Sequence, residues 1–155
     1  MTRVLSALAL LPVVVGVVWF LPSVWTLVLT EVVLFLALIE YADLTERIGA
    51  PFGRIPTVIA ALVTCAAFTL VPSMVPVVLM ASTVGIAVVQ LADGKWVMLP
   101  SVSAAAFSLL YLAVPLGSLA ALHAQDGREV VLLLLLTVMA SDTAQYYGGR
   151  AFGRR

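Results

Sequence analysis

The sequence predicts an all-α fold, a polytopic membrane bundle of about six transmembrane helices, and three observations lead there. Of 155 residues, 63% are hydrophobic and only 10% charged, whereas a soluble domain carries about 25% charged residues. Mean hydropathy is +1.18. The apolar residues gather into six runs near the length of about 20 residues that a helix needs to cross a hydrocarbon core. None of them reads as a barrel strand: Val130–Val138 does not alternate apolar with polar. Eight Lys+Arg balance eight Asp+Glu, so no long-range field attracts polyanions, and a nucleic-acid partner is not expected. The single cysteine, Cys65, excludes a disulfide framework or thiolate cluster within one chain.

The runs, in order, are Val4–Leu21, Val24–Tyr41, Ile55–Val71, Met74–Ala92, Trp96–Leu122 and Glu129–Tyr147. The first follows Arg3, as a signal peptide would, but it exceeds a signal core of about 7–15 residues and lacks a small-residue cleavage site after Phe20. It reads as a retained helix. Runs two to four each fit one crossing, and the fifth suits one tilted or extended helix. Pro12, Pro76, Pro100 and Pro115 fall inside the runs, where neighbouring helices can compensate for the lost hydrogen bonds. Leu21-Pro22-Ser23 and Val71-Pro72-Ser73 read as tight turns, pairing spans one with two and three with four. Asp43–Arg54 is the longest hydrophilic stretch. Ala113, Gly117 and Ala121 repeat every four residues, a small-residue seam that suits close helix packing. Residues 1–155 read as one integral membrane domain.

With the N-terminus in the cytoplasm, Arg3, Arg47, Arg54, Lys95, Arg150, Arg154 and Arg155 fall inside and only Arg128 outside. That asymmetry satisfies the positive-inside rule, and an even number of crossings places both termini in the cytoplasm. Trp19, Trp25 and Trp96 lie near proposed boundaries, as an interfacial aromatic belt requires.

Ionisable groups inside spans carry the functional information, because a charge at the centre of a span costs about 2.5–3.5 kcal/mol on insertion scales. Glu31 lies near mid-depth of the second run. It reads either as a partner for a cation or polar substrate group, or as a protonated carboxyl hydrogen-bonded to a neighbouring helix. Glu40, at the end of that run, can reach the headgroups or Arg47. His123, the sole histidine, is placed in an external loop His123–Arg128 and does not read as a metal site. Asp142 opens a polar, glycine-punctuated, basic segment, Ser141–Arg155. If the helix persists, Asp142, Tyr146 and Gly149 share one face. The Gly148-Gly149 pair can end the helix and bring backbone amides close to a ligand. Arg150 and Arg154, four apart, can pair with phosphate oxygens. Together these groups suit a phosphate held with Mg²⁺, which takes one or two carboxylates plus substrate phosphates. Interfacial anchoring by the tyrosines and arginines is the alternative reading of the same residues.

Eight positions in this segment, Asp142, Thr143, Tyr146, Gly149, Arg150, Phe152, Gly153 and Arg154, resemble the aspartate motif of the phosphatidate cytidylyltransferase (CDP-diacylglycerol synthase) family. The opening Arg-Val-Leu-Ser-Ala and the Glu40-Tyr41 pair are also similar. The resemblance implies an enzyme of phospholipid biosynthesis in a bacterial-type inner membrane, active side toward the cytoplasm. It would join CTP to phosphatidic acid to give CDP-diacylglycerol and pyrophosphate. It implies Asp142 as a Mg²⁺ ligand, Arg150 and Arg154 as phosphate contacts, Tyr146 and Gly149 as pocket residues, membrane lipid as surroundings and a homodimer as assembly. Family members continue with a lysine- and glutamate-bearing segment, further helices and a second acidic motif. The chain therefore reads as the N-terminal portion of such an enzyme, with two expectations attached: inactivity alone, and loose packing around the polar face of the sixth span. The rival reading is a small transporter or scaffold in which Glu31 and Asp142 line a polar path.

Overall fold

The computed structural model describes residues 12–92, 94 and 99–153. Arg3, Lys95, Trp96, Arg154 and Arg155, used above for orientation, belt or phosphate contact, lie outside the described residues. Every regular element among the described residues is helical. Residues 12–20 form α1, followed by α2 (Ser23–Arg47), α3 (Arg54–Leu70), a 3₁₀ turn (Pro72–Met74) and α4 (Val75–Ala92). Then come α5 (Leu99–Ser108), a π-helical segment (Leu109–Ala113), α6 (Val114–Asp126) and α7 (Arg128–Phe152). Four helices are long and apolar enough to cross a membrane: Ser23–Arg47, Pro72–Ala92, Leu99–Asp126 and Arg128–Arg150. That is the architecture of an integral membrane protein. The apolar α3 is shorter, at 17 residues.

The helices show lipid-side patterning. On α2 the buried positions are Thr26, Thr30, Leu34, Leu38, Ala42 and Thr45, a stripe three to four residues apart. Its opposite face exposes Val28, Val32, Phe35, Leu36 and Ile39, an arrangement that water would penalise and hydrocarbon accepts. Here the hydrophilic stretch departs from expectation, because α2 runs on through Asp43–Arg47 and leaves only residues 48–53 as loop. The helix stops in a Schellman motif: Gly49 N–H donates to Glu46 O (3.1 Å) and Ala50 N–H to Thr45 O (2.9 Å). Gly49 supplies the positive φ of 80° that this motif needs.

Prolines fall where the backbone tolerates them. Pro56 and Pro76 sit in first turns of α3 and α4, where the missing N–H has no intrahelical partner to lose. Pro115 instead lies inside the 28-residue helix Leu99–Asp126. Its ring crowds the carbonyl four residues back, and the preceding turn widens to π, with Val114 N–H donating to Leu109 O. The fifth run is thus one extended helix, α5–π–α6.

A core of Leu34, Leu38, Ala61, Cys65, Ile86, Ala105, Leu109 and Ala113, all close to fully buried, joins α2, α3, α4 and the long helix. The small-residue seam packs as expected. A Cβ on Gly117 would lie 2.8 Å from Phe68 and 3.0 Å from Cys65 O, so α6 meets the α3 backbone directly. Tyr41 OH donates to Ala104 O (3.0 Å) near one end of the bundle, and Thr26 Oγ1 pairs with His123 Nδ1 (2.6 Å) near the other. These two contacts set the long helix antiparallel to α2.

His123 corrects an expectation. It lies in α6, not in an external loop, and is only 9% exposed. The hydrophilic residues after it continue the helix to Asp126, so the connection to α7 shrinks to Gly127, at φ 90°. The ring is there to hydrogen-bond Thr26. Helix α7 packs on α6 and buries only 6% of its span, against 39% for the long helix. Its first residue is clamped, with Arg128 Nη1 donating to Trp19 O (3.2 Å) and the guanidinium over the Trp19 ring.

Candidate functional site

The helix carrying Asp142 does persist. Fourteen residues, roughly 21 Å of rise, separate Asp142 from Arg128, and the helix continues beyond it to Phe152. Asp142, Tyr146 and Gly149 therefore share one face at spacings of four and three. The Gly148-Gly149 pair does not end the helix, contrary to expectation. Both are helical, and the stop comes at Gly153, whose N–H donates to Gly149 O (2.9 Å). A Cβ at Gly153 would collide with that carbonyl, so glycine suits the stop better than the middle of the last turns. The amides of Gly148 and Gly149 are consequently within the helix rather than offered by a loop.

Among the described residues nothing in the bundle covers this face. Asp142, Tyr146, Gly149 and Arg150 are all exposed. Neighbouring polar side chains satisfy themselves locally: Thr143 Oγ1 donates to Met139 O (2.7 Å) and Gln145 Nε2 to Ser141 Oγ (3.1 Å). Tyr146 and Tyr147 meet edge to face at 5.4 Å. Among the described residues neither Asp142 nor Arg150 enters an ion pair, which leaves a hard carboxylate and a planar cation on adjoining strips of one helix. No group of three or more His, Cys, Asp or Glu side chains assembles among the described residues. Asp142 has the donor chemistry Mg²⁺ takes, and a Mg²⁺ site can rest on one protein carboxylate when substrate phosphates and waters complete it.

At the end where α2 meets α3, the sequence reading missed a cluster. Arg54 Nη2 lies 2.7 Å from both Asp43 Oδ1 and Glu46 Oε2, beside a cavity of about 340 Å³ lined by Ala42, Glu46, Phe52 and Arg54. The signal was available: Asp43 and Glu46, three apart, share a helix face, and the Schellman turn brings Arg54 back onto it. Of the two partners considered for Glu40, headgroups or Arg47, the Arg47 pair does not form; seven residues of helix set the two about 10 Å apart. Gln90, also unremarked in sequence, is 1% exposed with neither amide atom hydrogen-bonded. Glu31 borders a groove lined by residues of α2 and α3, and Asp142, on α7, does not line it, so this groove does not put Glu31 and Asp142 on a common path.

The model of the family described as "Cytidylyltransferase family" matches residues 1–155. No curated protein and no solved structure matches the chain.

Proposed function

The chain belongs to the cytidylyltransferase family, and from that premise we propose that it is the membrane portion of an enzyme that transfers the cytidylyl group of CTP to phosphatidic acid. The observation that carries this reading is the family match over the whole chain, supported by an exposed carboxylate and guanidinium on one helix end that form no ion pair among the described residues. The products are CDP-diacylglycerol and pyrophosphate, which makes the reaction a step of phospholipid biosynthesis. A phosphate oxygen of the lipid attacks the α-phosphorus of CTP, and the bond to the β-phosphate oxygen breaks as pyrophosphate leaves.

Such transfers depend mainly on positioning and charge stabilisation. In this proposal Asp142 would hold Mg²⁺ together with substrate phosphates, and a bound ion would supply charge neutralisation at those phosphates. Arg150 and Arg154 contact phosphate oxygens, a task that suits the planar guanidinium fork. Tyr146 and Gly149 form the wall of the pocket on the Asp142 face. Six crossings, with Arg47, Arg54 and Arg150 at the cytoplasmic end and Arg128 opposite, would put that face on the side where CTP is found; the alternation of helix directions supports this orientation. A bacterial-type inner membrane and a homodimer complete the proposal.

The test is Asp142→Asn in the full-length protein, assayed with CTP and phosphatidate in mixed micelles. Loss of CDP-lipid formation with unchanged membrane insertion is expected. Retained turnover would remove Asp142 from the chemistry, and turnover with another nucleotide in place of CTP would overturn the substrate assignment.

A further inference from the structure

A cavity of about 500 Å³ lies where α2 and α7 both begin. Its wall includes Pro22 and Ser23 from the start of α2, Gly127, Arg128 and Glu129 from the start of α7, and His123 from α6. Asp142 lies 14 residues further along α7, so the cavity belongs to the opposite end of the bundle. Neither helix start has a side-chain cap. The first N–H groups of each therefore lack a partner within the helix or from a cap, and each start is the positive end of a helix dipole. Two side chains add donors. His123 is buried, and its one hydrogen bond among the described residues is made through Nδ1, to Thr26. When the Thr26 hydroxyl donates to Nδ1, the ring proton sits on Nε2, which has no partner there. Arg128 commits Nε–H to Glu129 (3.3 Å) and one Nη1–H to Trp19 O (3.2 Å). The rest of its five-donor fork is uncommitted among the described residues. Glu129 is the one acid on this wall. Its pair with Arg128 leaves both side chains about half exposed or more, and water screens such a pair.

We propose that this cavity is a binding site for a phosphate-type oxyanion, presented by a lipid headgroup or free in solution. A tetrahedral oxyanion needs donors that converge from several directions. Here they come from separate parts of the chain: two uncapped helix starts, a guanidinium and a buried imidazole, all on one wall. Helix starts attract such groups through their amides and dipole together, and a guanidinium adds paired, charge-assisted hydrogen bonds. A cation is the wrong occupant, because it would meet Arg128 and both positive helix ends with Glu129 alone to offset them. Trp19 and Phe20 line the same cavity and are largely uncovered. Aromatic side chains of this kind sit at headgroup level in a membrane, the depth at which lipid phosphates lie.

This inference does not depend on the nucleotide chemistry of α7. The experiment uses the full chain in dodecyl maltoside, a detergent without phosphate, with Trp25→Phe and Trp96→Phe so that Trp19 alone reports. The Trp19 ring centroid lies 4.7 Å from the Arg128 guanidinium carbon, so an anion drawn to Arg128 changes the indole fluorescence. One probe is inorganic phosphate, titrated against chloride at equal ionic strength. The other is dioleoyl phosphatidylglycerol, titrated against dioleoylglycerol. A saturable change is expected. A response to inorganic phosphate supports the site with a soluble ligand, and a response to phosphatidylglycerol alone supports it with a lipid headgroup. Equilibrium dialysis of radiolabelled phosphate and native mass spectrometry of the lipid complex then give affinities without using the indole. Arg128→Gln should weaken binding about tenfold or more. Glu129→Gln should tighten it about two- to fivefold by removing the competing carboxylate. Arg54→Gln, at the other end of the bundle, should leave it unchanged. No saturable response to either probe, an equal response to chloride or dioleoylglycerol, or an affinity that Arg128→Gln leaves intact would overturn the proposal. If Arg128→Gln fails to fold, Glu129→Gln decides the matter, since weaker or unchanged binding there is equally fatal.

Discussion

The long helix Leu99–Asp126 and α7 are nearly equal in length, yet one buries 39% of its span and the other 6%. The first carries alanine, serine and glycine at its contact positions, so its backbone lies against α3 and its imidazole finds a partner on α2. The second carries leucines that stay exposed and, toward its end, Asp142, Tyr146 and Arg150, which none of the described residues covers. In a membrane, small residues mark where protein meets protein and large apolar ones where it meets lipid. A polar strip on the bare helix obeys neither rule, which is why the proposed function is placed there. The two regions thus differ in what they carry: one specifies the packing, and the other bears the groups to which the proposed function assigns the chemistry.

Substitutions can break that division. The largest expected effect is on activity alone: Asp142→Asn in the full-length protein should lower turnover about a hundredfold or more, with its melting temperature in detergent unchanged, because the side chain is exposed. A parallel fall in stability would mean that α7 is packed in the membrane after all. Next comes Gly117→Leu, which drives a side chain into Phe68 and the Cys65 backbone. It should cost about 1–3 kcal/mol or prevent assembly. Gly148→Ala on α7 meets nothing within 4 Å and should leave stability equal or slightly raised; thermal unfolding of both variants tests the contrast. Tyr41→Phe removes the hydrogen bond to Ala104 O and should cost about 0.5–1.5 kcal/mol. The smallest effect belongs to Arg54→Gln. Its ion pairs with Asp43 and Glu46 are half exposed, so the melting temperature should barely move, and any difference should vanish in high salt.

Helix positions were readable because long apolar runs have few alternatives, and the predicted Ile55–Val71 and Met74–Ala92 differ from the observed α3 and α4 by a residue or so at most ends. The Gly117 seam was also legible, since a four-residue repeat of small side chains implies close approach. What sequence could not supply was partnership across distance. His123 looked like a loop residue until Thr26, 97 positions away, supplied its hydrogen bond. Arg54 reached Asp43 and Glu46 only because Gly49 turned the chain back. The glycines at 148 and 149 misled for a related reason: glycine lowers the cost of leaving a helix without requiring it, and the stop lies at Gly153. On α7 the facial grouping of Asp142, Tyr146 and Gly149 was legible from spacing alone. The roles proposed for these residues rest on chemistry and family membership, since among the described residues the bundle provides no contacts to read them from.

The widened turn before Pro115 also sets a phase. Ser101, Ala105, Leu109, Ala113, Gly117 and Ala121 are all buried, a strict interval of four. On a regular α-helix each such interval overshoots a full turn by about 40°, so the stripe would drift about 200° between Ser101 and Ala121 and end on the far side. A π turn amounts to one extra residue, which takes back about 100° of that drift. It acts as a vernier between two halves that must keep the same neighbours, Ala104 under Tyr41 and His123 under Thr26. Deleting one residue from Leu109–Ala113 would straighten the helix and rotate one half against the other, so the cost would fall on these two distant hydrogen bonds rather than on the turn itself.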